Sequence, residues 1–380
     1  MTALDDLVDD MAGLLDAPCT LEDPDFRLIG FSGQGRAGVV DEVRRHSILE
    51  RGSTPEVREW FLSHGIRDAT GPVRTPADPD RGIAARLCIP ARHRGRVHGY
   101  FWLLEDEHPI SVEHWAEATR IAESAASLLG LVERRQARRD ANYREAVEGH
   151  GGAAQHSALE LASAAGLDVR DPVACVLVHR PDLGGQLASR STRSGLVWVR
   201  EDSAVCAAVV HAELIRTATD LPATLSALGL GRRLSSLDES TWVGIGPVVS
   251  GLAELAHSRT GARVALRVAR AREGGTVVEW DALGPLGLLG VARDDDLART
   301  LLTPRVRRFL DEAPAALVET ARVFLDEAGS VARATGRLSV HRQTVYHRLA
   351  QIERSTGCDL STGEGRLRLH LALRLAPYLG

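Results

Sequence analysis

Apolar residues near the C-terminal end of the chain recur with helical spacing on either side of a tight turn. The pattern predicts a first helix over about 331–337, with Ser330 as its N-cap. A turn follows at 338–340, and a second helix begins near His341. The second helix has one apolar stripe at i, i+4 and i+7, formed by Val345, Leu349 and Ile352.

The side of this second helix that faces away from the apolar stripe is polar. It carries Arg, Gln, Thr, Tyr and His side chains, which suit the major groove of DNA. Arg can pair with guanine, Gln with adenine, and Thr with a thymine methyl group or a phosphate. The predicted DNA-binding residues are Ser330, His341, Arg342, Gln343, Thr344, Tyr346, His347 and Arg348.

The charge of this segment is opposite to that of the whole chain. Residues 330–356 contain five arginines against Glu353 alone, a net charge of +4, whereas the chain as a whole carries −5. Such a local excess of arginine predicts a surface that faces phosphates.

The run Val340-His341-Arg342-Gln343-Thr344-Val345, with Arg348-Leu349 and Ile352-Glu353 after it, resembles a known motif. It is similar to the C-terminal helix-turn-helix, a Fis-like variant, of PucR/CdaR-family bacterial transcription regulators. The resemblance is specific over about residues 315–376 and looser upstream. Gln343 stands where the family usually has Asn, which changes the expected operator sequence and leaves DNA binding as the expectation.

The N-terminal region alternates a helix, antiparallel strands and a long closing helix. A helical stripe occupies 4–15, strands are expected at 19–22, 27–31, 84–90 and 97–104, and a helix runs from Ser111 to about 147. This order resembles a GAF or PAS sensory domain. Its implied ligand would be a small-molecule effector of unknown identity.

Two features of this region permit alternative interpretations. Gly33–Gly38 spells GxGxxG, but the window 51–59 is a helical stretch and lacks the strand end that a dinucleotide fold requires. We interpret the glycines as a loop, and a role at the border of a sensory pocket stays open. Heptad spacing at 118, 122, 125, 129 and 132 fits either a dimerising helix or packing on its own domain.

The middle of the chain interleaves strands with helices, which indicates an α+β sandwich. A strand is predicted at 173–179, a hairpin with strands at 196–200 and 205–211, and a helix at 212–228. In PucR/CdaR relatives this position holds a degenerate GGDEF-like domain, and Gly244-Ile245-Gly246-Pro247 looks like the family pattern. The hairpin turn, Arg200-Glu201-Asp202-Ser203, lacks the glycine pair of diguanylate cyclases. Its two acids are expected to be solvated, and no cyclase activity is expected.

Composition and motif searches limit the class of protein and indicate no further functional site. The 380 residues are 44% apolar and 26% charged, and five scattered cysteines have no metal-ligand spacing. HExxH, P-loop and GxSxG motifs are absent, as are a signal peptide and any apolar run of 18 residues. We therefore expect a cytoplasmic protein without catalytic residues, metal or cofactor.

The sequence thus predicts a multidomain α+β protein. Its parts are a GAF/PAS-like sensory domain at 1–130, a helical linker at 131–158 with glycines at 149–154, a degenerate GGDEF-like domain at 159–292, and an all-α helix-turn-helix domain at 293–380. The predicted function is a ligand-responsive, dimeric or higher-order transcriptional regulator that binds double-stranded DNA. The alternatives are a protein-interaction scaffold and, less favoured, a nucleotide-binding signalling enzyme.

Overall fold

The chain forms two compact units, residues 1–137 and 138–380. The computed structural model describes residues 3–33, 41–105, 109–180, 194–216, 218, 220–230 and 240–379. The GxGxxG segment lies outside the described residues from position 34 onward. Among the described helices, none combines the length and the apolar run that a bilayer crossing needs.

The first unit is an antiparallel sheet with helices on it. Its helices are α1 (Ala3–Leu15), α2 (Glu42–Glu50), α3 (Pro55–Leu62) and the start of α4 (Trp115–Glu148). Its strands are β1 (Cys19–Glu22), β2 (Leu28–Ser32), β3 (Val73–Thr75), β4 (Arg86–His93) and β5 (Arg96–Leu104). The strand order β2-β1-β5-β4-β3 and the closing helix agree with the predicted sensory-domain architecture.

The heptad positions of α4 pack on their own domain. Ala118, Ala122, Ala125 and Leu129 are buried in one apolar cluster with α1 and a face of the sheet. Val132, the last heptad position, is 39% exposed. The structure therefore favours packing of α4 on its own domain, and not dimerisation, over most of the heptad segment.

The middle domain is a mixed sheet in the order β10-β9-β6-β8-β7, in which only the β9–β10 pair is parallel. Its strands are β6 (Val173–His179), β7 (Leu196–Arg200), β8 (Val205–His211), β9 (Trp242–Ile245) and β10 (Thr276–Glu279). Its helices are α5 (Gly151–Ala165), α6 (Ala212–Ile215), α7 (Leu221–Ala227) and α8 (Leu255–Arg270). The β7–β8 hairpin has the predicted bounds.

Two predictions in this domain need correction. The glycine-rich linker at 149–154 is mostly helix, because α4 continues to Glu148 and α5 starts at Gly151. The single helix predicted over 212–228 is two helices, α6 and α7. Pro222 lacks the N–H that a continuous helix would use, and the Asp220 side chain caps a new helix by accepting from Ala223 N–H at 2.7 Å.

Strand β9 approaches helix α8 so closely that no side chain fits between their backbones. A Cβ on Gly246 would lie 1.9 Å from the Ser258 carbonyl oxygen, and one on Gly244 would lie 2.3 Å from that of Ala262. Glycine is therefore required at both positions of the Gly244-Ile245-Gly246 pattern.

The C-terminal part of the second unit is entirely helical. It comprises α9 (Asp294–Leu301), α10 (Pro304–Glu312), α11 (Ala315–Asp326), α12 (Val331–Leu338), α13 (Arg342–Thr356) and α14 (Gly363–Leu375). An apolar cluster joins one side of α8, including Ala265 and Val268, to Leu371 and Leu375 of α14. The DNA-binding domain predicted from the sequence is therefore packed against the middle domain.

Candidate nucleic-acid interface

Two capped helices and a left-handed turn build the predicted helix-turn-helix. The Ser330 hydroxyl oxygen accepts the N–H of Arg333 at 3.3 Å and begins α12. Ser339, at φ +53°, ends this helix in the left-handed region and reverses the chain. The His341 Nδ1 atom accepts the N–H of Gln343 at 3.3 Å and begins α13. The predicted helices are confirmed to within about one residue.

The apolar stripe of α13 seats the helix on the domain core. Val345 and Ile352 are fully buried and Leu349 is nearly so, in a cluster that includes Ala321 and Phe324 of α11. Because one side of α13 is committed to the core, its polar side is held outward in one orientation.

Five of the eight predicted DNA-binding residues lie exposed at the start of α13, and we call them the recognition surface. They are His341, Arg342, Gln343, Tyr346 and His347. Tyr346 is 58% exposed, which is unusual for a large ring and makes it available for a partner. Thr344 beside them is half-buried.

Arg348 and Ser330 differ from the recognition surface, because each has a partner within the domain. The Arg348 Nη1 donates to the buried Thr320 hydroxyl on α11 at 3.1 Å, which fixes α13 to its neighbour. Ser330 is half-buried and occupied as the cap of α12.

The positive charge is smaller than the sequence window indicates. Arg333 and Arg337 both pair with Glu327, at 3.1 and 3.2 Å. This carboxylate precedes the window 330–356; starting at Asp326 instead gives five arginines against three acids, a net of +2. Among the described residues, no carboxylate pairs with Arg342 or Arg354, so these two keep their positive charge available.

Two family matches lie within the second unit. Residues 317–375 match the family described as PucR C-terminal helix-turn-helix domain. This segment is therefore similar to the helix-turn-helix domain of the PucR family. Residues 149–268 match the family described as GGDEF-like domain. Together the two matches confirm the resemblance to PucR/CdaR regulators and the assignment of the middle domain.

Individual relatives match parts of the chain. The proline-responsive transcriptional activator PutR of Bacillus subtilis is 26% identical over 117 residues, which are 29% of this chain and 28% of PutR. An uncharacterized protein in the pkwA 5′ region of Thermomonospora curvata is 40% identical over 80 residues, 21% of this chain and 43% of that protein. The chain thus matches less than half the length of both curated relatives.

A solved structure is also similar. The regulator of polyketide synthase expression from Bifidobacterium adolescentis aligns with 63% of this chain and 96% of its own, at 18% identity and a TM-score of 0.31.

The hairpin turn of the GGDEF-like domain departs from the prediction of two solvated acids. The Glu201 side chain is largely buried, and its carboxylate accepts from Arg259 Nε at 2.9 Å and from the Tyr143 hydroxyl at 2.8 Å. Burial raises the pKa of Tyr143 well above its usual value, so the hydroxyl keeps its proton and donates it. Asp202 closes the turn by accepting the N–H groups of Ala204 and Val205.

This network takes its residues from three elements and was not predicted. Tyr143 comes from α4, Glu201 from the hairpin and Arg259 from α8, and Arg259 also reaches Glu148 at 3.0 Å. Burial lowers the pKa of Arg259, but the hydrogen bond and charge of Glu201 outweigh it and raise the pKa overall. The acid at the turn therefore serves as an anchor for tertiary structure.

The first unit contains an open cavity of about 490 Å³. Its lining combines charged side chains, including Glu42, Arg45 and Arg81, with apolar Val43 and Leu49. The volume lies in the range of small-molecule sites. Within the described ranges, no group of three or more His, Cys, Asp or Glu side chains could hold a metal ion.

Proposed function

We propose that this protein is a sequence-specific, DNA-binding transcriptional regulator that is dimeric or larger and responds to a small molecule. The observation that carries this proposal is the recognition surface on α13. It is exposed and positively charged, and it belongs to a PucR helix-turn-helix domain. In a cell, such a protein would act in the cytoplasm, where DNA is accessible.

In this proposal, the start of α13 enters the major groove. Arg342 and Gln343 in its first turn contact base edges, with Thr344, Tyr346 and His347 beside them. Phosphates are contacted by the remaining predicted residues at the edges of this surface: Ser330, His341 and Arg348. Arg348 acts mainly by positioning, because Thr320 already holds one of its nitrogens.

Dimerisation and ligand response follow from the limits of a single helix. One recognition helix makes few base contacts, so operator affinity requires a symmetric pair of half-sites. A ligand could change this affinity only by binding one arrangement of the two helices better than another. The cavity of the first unit is the candidate effector site. The relative PutR is described as proline-responsive, which supports a small-molecule response in this chain.

We infer that the middle domain transmits the signal without catalysis. A cyclase needs a carboxylate at the hairpin turn that is available to bind metal, whereas Glu201 is engaged by Arg259 and Tyr143. The turn also lacks the glycine pair.

The proposal is tested by fluorescence anisotropy with duplex DNA from upstream of the gene and with unrelated duplex, across several salt concentrations. We expect selective binding that weakens steeply with salt, because counterions are released from the phosphates. Arg342→Ala should weaken selective binding by about 1–3 kcal/mol, roughly fivefold to 150-fold. Arg299→Ala, an exposed arginine on α9, is the matched control and should bind normally.

If the upstream duplex gives no binding, the titration is repeated with small metabolites. Continued absence of binding would reject the regulator in favour of a protein-interaction scaffold. Equal loss in both variants would reject the assignment of the recognition surface.

A further inference from the structure

A groove in the second unit runs beside α8 and is bordered by three arginines. Arg263, Arg267 and Arg270 occupy positions i, i+4 and i+7, so they line one side of the helix and span about 10 Å along its axis. Leu177 and Leu266 contribute apolar lining. The cavity volume is about 440 Å³, within the range of small-molecule sites.

The charges around the groove are only partly matched. Two acids, Glu201 and Asp202, also line it, but Glu201 is paired with Arg259, which lies outside the lining. Arg263 and Arg270 are exposed, and within the described part of the chain neither forms an ion pair. The described lining therefore contains two arginines without an ion pair and one such carboxylate, Asp202, which leaves an excess of positive charge.

A neighbouring histidine does not add to this charge at neutral pH. Burial lowers the pKa of His179 at the end of β6, and the nearby charge of Arg270 lowers it further. The positive character of the groove therefore rests on arginines, which do not titrate in the physiological range.

We propose that this groove binds a phosphate-bearing metabolite with at least two anionic groups, held by Arg263 and Arg270. Guanidinium groups present paired N–H donors that match phosphate oxygens, and their spacing along α8 requires a ligand that is charged at both ends. This site is distinct from the recognition surface and from the cavity of the first unit.

Arg267 links the groove to the DNA-binding domain. Its Nη1 and Nη2 atoms donate to the two carboxylate oxygens of Asp294 on α9, at 2.9 and 2.7 Å. Nη2 also donates to the carbonyl oxygen of Tyr378, which follows α14. A bound anion would compete with Asp294 for Arg267 and would loosen this attachment. This coupling rests on the proposed function, whereas ligand binding itself does not.

The test uses the full chain without DNA and measures binding of inorganic pyrophosphate and tripolyphosphate by isothermal titration calorimetry. We expect saturable binding that falls at least tenfold in Arg263→Ala and in Arg270→Ala. Arg299→Ala should bind as the unchanged protein does. Asp294→Asn should bind the polyphosphate more tightly, because Arg267 is released from its carboxylate partner.

Several results would overturn the proposal. These are no binding to the unchanged chain, equal binding by all arginine variants as expected for an adventitious ion only, and tighter binding of citrate than of tripolyphosphate. Loss of DNA affinity in the α8 variants without loss of polyphosphate affinity would assign the groove to the DNA backbone instead. Failure of the unchanged chain to bind DNA rejects the proposed function and the coupling but leaves the calorimetric result standing.

Discussion

Helix α8 of the middle domain and the helix-turn-helix both carry two kinds of arginine. Some are paired with acids, and others form no ion pair among the described residues. In α8, Arg259 and Arg267 are paired, and each connects elements that are distant in sequence. In the helix-turn-helix, Arg333 and Arg337 share a nearby carboxylate, Glu327, and Arg337 also reaches Asp326 at 4.0 Å.

The two kinds of pair differ mainly in burial. The side chains of Arg259 and Glu201 are 15% and 8% exposed, whereas those of Arg333 and Arg337 are 60% and 53% exposed. Removing one partner of a buried pair leaves an uncompensated charge, while an exposed pair contributes little to folding. The largely buried Arg259–Glu201 pair therefore holds the architecture, whereas the side chains of the Arg267–Asp294 pair are 35% and 45% exposed and lie between the two kinds. The exposed pairs of the helix-turn-helix set the electrostatic potential that DNA would meet.

The largest effect is expected from breaking the buried network. Arg259→Ala should lower the free energy of unfolding of the second unit by about 3 kcal/mol, because Glu201 would remain buried without its cation. Thermal denaturation followed by circular dichroism would measure the loss. Arg263→Ala, one turn along α8 and exposed, should stay within about 0.5 kcal/mol. Equal melting temperatures for the two variants would show that the buried arginine contributes no more to stability than the exposed one.

A smaller effect, on specificity, is expected from Gln343. In Gln343→Ala, discrimination at one operator base pair should fall by about 1–3 kcal/mol, because a side chain that reads a base edge is lost. Affinity for unrelated duplex and its salt dependence should not change. Competition binding with single-base operator variants measures this, and a uniform loss across all sequences would assign Gln343 to a phosphate contact.

The smallest effect is expected from Glu327→Gln. The change removes the carboxylate shared by Arg333 and Arg337 and leaves Arg337 with Asp326 alone, at 4.0 Å. The free energy of unfolding should stay within about 1 kcal/mol of that of the unchanged protein. The slope of log affinity against log salt should steepen by about 1–2 if both arginines then meet phosphates. An unchanged slope would show that these arginines face away from the duplex. Glu312→Gln, on α10, serves as the acidic control.

Local patterns predicted much of the fold. The bounds of β6, β7 and β8 match the prediction, because alternation of apolar residues and turn residues act within a few positions. The same holds for the recognition helix, whose buried stripe and exposed side follow from its periodicity.

The features that the sequence did not predict depend on partner residues outside the local pattern. These partners are either distant in sequence or lie just before residues 330–356. Glu201 is buried because Tyr143 and Arg259, each 58 residues away, converge on it, and no local pattern reports this. The heptad spacing of α4 could not distinguish a partner helix from its own sheet, because both require the same apolar positions. Glu327 could have been found by extending the charge window by three residues.

The contact between β9 and α8 also constrains how this domain can evolve. At Gly244 and Gly246 the two backbones touch directly, so every other amino acid is excluded there. The arginines on the open side of the same helix meet no such restriction. During evolution, the arginines that line the groove can therefore be substituted one at a time. The two glycines at the backbone contact must be retained.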